Sequence, residues 1–244
     1  MWPNLTNPPV KLALFQLKFN KTDMKLFDEI DQRLKNNFPI RKDNIEVGIN
    51  LNNSQIPLGK SKLDGVSDAR LKSCIYLTTD QKERVELLED TATYVSELPY
   101  SGWDSFVSRV DGMLSILATV LGNVEVVRTS IRFVNRFLLD EFEDPAVYFT
   151  TVISKAGDSL FPISQYGFRL QYDVPNTNIY AIVNQSVEND ATKKFMYLLD
   201  IDVLDRQTLL FEKESILFNL KQLREIKDKI FFDSITKKTQ DLCN

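Results

Sequence analysis

Apolar and polar residues follow one another in blocks whose period shifts between two and about three and a half, and each shift marks an element. VKLALFQLKF (10–19) is an apolar-rich run that predicts a strand. TDMKLFDEIDQRLKNNF (22–38) spaces Phe27, Ile30, Leu34 and Phe38 at helical intervals behind Thr22 or Asp23 as a cap, so an amphipathic helix follows. NIEVGINLN (44–52) alternates strictly, with Ile45, Val47, Ile49 and Leu51 on one face, as a half-buried strand requires. After a polar loop at 53–68, the runs KSCIYLTT, ERVELLED and TATYVSEL read as short strands. YSGWDSFVSRVDGMLSILATVLGN (100–123) predicts a core-facing helix with Phe106, Val110, Met113, Leu117 and Leu121 as its stripe. Ser101 and Asp104 offer it a capping pair, and Gly122 with Asn123 stop it.

The second half repeats that order. A long strand at 124–139 leads to a short helix at about 145–155, then to strands at about 163–174, 178–187 and 194–204. A closing helix from about 211 to 240 carries Ile216, Leu220, Leu223, Ile226 and Ile230 as its apolar stripe. The expectation is an α+β fold of two pseudo-duplicated units, 1–122 and 123–244, each running strand, helix, meander, long helix. The sheet should be mainly antiparallel, because short turns cannot join parallel strands, with the helices packed on one face. The pattern leaves open whether the halves share one continuous sheet.

Within the long strand, VRTSIRFVNRFLL (127–139) places charge inside an otherwise apolar run. Strand alternation puts Arg128, Ser130, Arg132 and Arg136 on one face and Thr129, Ile131, Phe133, Asn135 and Phe137 on the other. In FMYLLDIDVLD (195–205), Asp200 and Asp202 point away from an apolar row of Phe195, Tyr197, Leu199, Ile201 and Val203. FRLQYDV (168–174) adds Arg169, Gln171 and Asp173 to such a polar face. Arg132 or Arg136 is expected within salt-bridge reach of Asp200 or Asp202. These charges have two competing roles. Cross-strand ion pairs can satisfy a solvated sheet face, at roughly 0.2–1 kcal/mol each. Alternatively, planar arginine forks can be gathered to receive an anionic group, with Arg128, Arg132, Arg136, Arg169, Asp200 and Asp202 as the candidate ligand-binding set. A third reading takes Asp200 and Asp202 as a D-x-D metal pair working with Glu188 or Asp190 on a phosphorylated or nucleotide substrate.

Composition narrows these choices. A chain of 244 residues, 43% apolar and 26% charged, can bury a sizeable core. The net charge of -4 argues against broad affinity for a phosphate backbone, so nucleic acid is not an expected partner. Histidine is absent, which removes the commonest general base and the commonest zinc ligand. Two cysteines, Cys74 and Cys243, make no disulfide framework and lack metal-site spacing. MWPNLTNPPV does not resemble a signal peptide and no run approaches a membrane span, so a cytoplasmic protein is expected. LGKSK (58–62) lacks the earlier glycine of a phosphate-binding loop, and TDQK (79–82) falls where a hairpin turn should be. Trp103 is expected to plug an edge of the core, and KKTQDLCN to be a fraying end.

Taken together, NPPVKLALFQLKF, YSGWDSF, IRFVNRF, LLDIDV and FFDSIT occur in an order that resembles a sporadically distributed family of uncharacterised bacterial proteins roughly 250 residues long, over the whole 244 residues. The resemblance sets Arg132, Asn135 and Arg136 on the family's R-[YF]-[IV]-N-R core and Asp200 and Asp202 on its L-D-I-D segment. It implies no reaction. It also marks a departure, since family members often carry His in the closing helix where this chain has Arg224. With no complete catalytic motif and no cofactor signature, the expected function is a binding module. It would hold a protein partner or a small anionic ligand on the arginine-rich face, and a metal-assisted hydrolase is the alternative.

Overall fold

Val10–Phe19 forms β1, the strand at the centre of the sheet. Its alternation buries Ala13, Phe15, Leu17 and Phe19 on one side. It pairs antiparallel with β5 (Thr91–Glu97) on one flank and with β6 (Glu125–Leu139) on the other. The computed structural model describes residues 3, 5–49, 66–97, 99–139, 144–153, 165–189 and 195–244. Beyond β5 lie β4 (Glu83–Leu88), β3 (Val66–Leu77) and β2 (Ile40–Ile49). Beyond β6 lie β9 (Phe195–Asp205), β8 (Ile179–Asn189) and β7 (Tyr166–Asp173). One open sheet thus runs β2-β3-β4-β5-β1-β6-β9-β8-β7, antiparallel at each of these pairings. The two-residue β10 (Leu209–Leu210) extends the β9 side of β6 past Asp205.

The two halves therefore meet in one sheet, at the β1–β6 seam. On each side of the seam the first strand of a half is followed by its meander in reverse order. The likeness is one of connectivity. The first meander has four strands and the second three among the described residues, so strand order alone does not establish a duplication.

The helices cover the face that carries the odd-numbered side chains of β1, β6, β8 and β9. After a 3-10 stretch (Met24–Ile30) capped by Asp23, α1 (Asp31–Asn37) continues the first helix and buries Phe27, Ile30 and Leu34. α2 (Trp103–Leu121) buries the expected stripe of Phe106, Val110, Met113, Leu117 and Leu121, with Leu114. Its start differs from the expected capping pair. Gly102 is the N-cap at φ 94° and ψ 168°, a conformation open essentially to glycine alone, and Ser101 instead bonds Ser105 Oγ at 3.0 Å. α3 (Lys213–Ser234) lies over β6 and β9 with Ile216, Leu220, Leu223 and Phe231 buried, while Ile226 and Ile230 are partly covered. Trp103 packs as expected, its ring stacked on Phe106 at 5.8 Å.

Two further expectations are corrected. The short helix near 145–155 shrinks to one 3-10 turn at Pro145–Val147, where Asp144 caps Ala146. The chain end does not fray. A separate helix α4 (Lys237–Leu242) is capped by Thr236, Thr239 Oγ1 donates to the Tyr148 carbonyl at 2.6 Å, and the Cys243 carbonyl accepts from Asn7 N at 2.8 Å. Both cysteines are buried and unbridged. LGKSK lies outside the described residues, and among the described residues no helix is long and apolar enough to cross a membrane.

Candidate functional site

Among the described residues the opposite face of the sheet carries no helix, and the predicted charges lie there. The register sets Arg132 directly across from Asp202, and Asp200 across from Val134 on one side and Asn184 on the other. Arg169 stands one strand further out, opposite Asn184. All six candidate residues thus share one surface, drawn from β6, β9 and β7, which only tertiary pairing brings side by side.

Arg132 leans along its neighbour strand to Asp200 and not to the residue it faces. Its Nε and Nη2 donate to Asp200 Oδ1 and Oδ2, both at 2.8 Å, forming a two-pronged pair. Asn184 Nδ2 adds a third bond to Asp200 Oδ2 at 3.1 Å. The Asp200 side chain is 12% exposed and that of Arg132 46% exposed. The carboxylate is therefore a buried anchor and the guanidinium half in water. This is the salt bridge the spacing predicted, and it commits Arg132 to a structural partner.

Arg128 makes a second network across the seam. Its Nη2 donates to Gln16 Oε1, and the Gln16 amide donates onward to Thr93 Oγ1 at 3.1 Å, linking β6, β1 and β5. Arg128 Nε is buried and has no hydrogen-bond partner among the described residues. Asp202 sits between the two arginine networks. Burial pushes its carboxyl up to about 6; Asp200 beside it adds to the rise, and Arg132, Arg128 and Arg169 oppose it without cancelling it. Arg136 lies one row away, across from Leu198, and the structure does not bring it to either aspartate.

Sequence reasoning missed Gln16 and Asn184, which complete these networks. Gln16 was legible as the one uncharged polar residue interrupting LALFQLKF; Asn184 had no signal of its own. The metal reading gains nothing from the geometry, because both Asp200 oxygens already face a guanidinium that would repel a cation. Glu188 and Asp190 contribute no described side chain.

Two other charged clusters lie on the helix-covered side and serve packing. Arg41 of β2 bonds Asp31 of α1 at 2.6 Å and Asp43 at 2.7 Å, and its guanidinium lies over the Tyr76 ring at 5.5 Å. Burial pushes the Asp31 carboxyl up, but bonds from Lys35, Arg41 and Tyr76 outweigh it and hold the group below the usual carboxylate range. On α3, Asp228 pairs with Arg224 and Lys227, whose cationic groups stand 4.5 Å over the rings of Trp103 and Phe133 respectively. Arg224 therefore has a packing role against Trp103. No family model, curated protein or solved structure matches this chain.

Proposed function

We propose that the protein is a non-catalytic binding module that receives an anionic group on the sheet face opposite the described helices. The observation that carries this reading is the gathering of Arg128, Arg132 and Arg169, from strands distant in sequence, around the single half-buried carboxyl of Asp202. Arginines outnumber the aspartates of this cluster, and the buried Arg128 Nε is left without a hydrogen-bond partner among the described residues. Half-buried Leu12, Leu14, Val134 and Ile182 surround the charges and supply apolar contact. The same reading takes the protein as cytoplasmic, and the halves 1–122 and 123–244 as related units.

The test is a thermal-shift series with anions at low salt. Binding to the folded state raises the melting temperature by mass action. Wild type should gain stability with rising anion concentration, and Arg169→Gln together with Arg128→Gln should abolish the gain. An identical gain in the double variant would move the site elsewhere.

A further inference from the structure

The face is too broad for its cations to be met by one small ion. Neighbouring strands lie about 4.8 Å apart, so the three spacings from Arg128 and Arg132 on β6 to Arg169 on β7 span roughly 14 Å, the length of about four extended residues. The Arg132–Asp200 pair shows which anion these forks suit, since a planar carboxylate already fills one of them with two bonds of 2.8 Å. Half-buried Leu14 and Ile182 lie in the row of Arg132 and Asp202, which suits a chain and not an isolated ion.

Asp202 is the one group in this row that would repel an incoming carboxylate. It faces Arg128 and Arg132 from β6 and Arg169 from β7. β9 itself contributes Asp200, and β8 sets Ile182 and Asn184 against it. Lys18 of β1, in the row of Arg128, is turned to Asp90, and Asp173 on β7 accepts from Gln171. Resting on the reading of this face as a binding surface, we propose that its occupant is an extended acidic protein segment laid across β6, β9, β8 and β7. One carboxylate of that segment binds together with one proton from solvent, which it shares with the Asp202 carboxyl. No covalent bond forms, and release returns the proton to solvent. The carboxyl of Asp202 is half-protonated at about pH 6, so it can take that proton under mild conditions.

Fluorescence anisotropy with labelled hexa-aspartate at low salt, at pH 5.5, 6.5 and 7.5, tests the proposal, with hexaserine and inorganic phosphate as comparison probes. Because only the protonated fraction accepts the carboxylate, wild type should bind hexa-aspartate on the order of tenfold more tightly at pH 5.5 than at pH 7.5. Asp202→Asn should bind tightly at all three pH values, and hexaserine should not bind. Asp202→Ser replaces the amide variant should that one fail to fold. Hexa-aspartate binding that is equal at every pH in wild type, or that keeps its pH dependence in the Asp202 variant, overturns the proton coupling while the binding surface stands. Phosphate binding without hexa-aspartate binding overturns the acidic segment. Binding of neither probe, by wild type or variant, overturns both this proposal and the reading it rests on.

Discussion

Asp200 and Asp202 are two residues apart on one strand and live in different electrostatic settings. Asp200 has its charge matched by a two-pronged bond from Arg132 and a third from Asn184. A pair with one buried and one half-exposed partner falls between the solvated and the fully buried case. A double-mutant cycle on Arg132 and Asp200 should give a coupling of about 1–2 kcal/mol, and the same cycle on Arg136 and Asp202 should give none. Denaturant midpoints of the four variants in each cycle measure this. For Asp202 the sign runs the other way. Its folded value of about 6 lies above the ordinary carboxyl value of roughly 3.9, so the proton favours the folded state. That contribution is complete below about pH 4 and is lost as pH rises through about 6. Asp202→Asn should therefore match wild type near pH 4 and exceed it at pH 8 by at most about 3 kcal/mol. Urea unfolding at the two pH values decides it, and a less stable variant at pH 8 would mean that the carboxylate is well matched after all.

At the level of the element, the two long helices differ in what their sequences spend on packing. α3 buries Leu223 completely, so Leu223→Ala should cost about 2–5 kcal/mol through lost transfer energy and the cavity left behind. An unchanged denaturant midpoint would mean that this stripe is not part of the core. α2 carries Gly112 in its interior, where an added Cβ would meet nothing within 4 Å. A mid-helix glycine costs roughly 0.5–1 kcal/mol relative to alanine, so Gly112→Ala should raise the melting temperature. The residue lines a shallow cavity with Ser105, Ser108, Arg109 and Phe38, which its hydrogen atom leaves open. Gly102 is the contrasting case. Its φ of 94° makes it indispensable at the entry to the same helix.

For the whole molecule, the β1–β6 seam is the decisive contact. The chain can be divided near Gly122 on paper, yet β1 pairs with β6 from Val10 to Phe19, and Phe106 and Trp103 of the first half pack on Phe133 of the second. Fragments 1–123 and 124–244 should each lack a cooperative thermal transition when alone, and should regain one when mixed. Circular dichroism melts of the fragments, separate and combined, give the answer. A cooperative melt of either fragment by itself would make the halves independent folding units.

The sequence alone determined which residues alternate and therefore which share a face. Period-two patterning put the arginines opposite Ile131, Phe133 and Phe137 because adjacent strand side chains point to opposite sides, whatever the strand pairs with. Helical spacing likewise located the stripes of α2 and α3. Tertiary structure decided everything that depends on neighbours distant in the chain. That β1 and β6 join two meanders into one sheet, that Arg132 reaches diagonally to Asp200, and that Gln16 and Asn184 complete the networks all follow from register, which no local pattern encodes. The docking of α4 was also invisible, because KKTQDLCN is mostly polar and is held by hydrogen bonds of Thr236, Thr239 and the Cys243 backbone to distant residues, with the buried Cys243 side chain and no apolar stripe. The raised Asp202 carboxyl belongs to the same class: its cause is burial among side chains from other strands, and burial exists only once the sheet has formed.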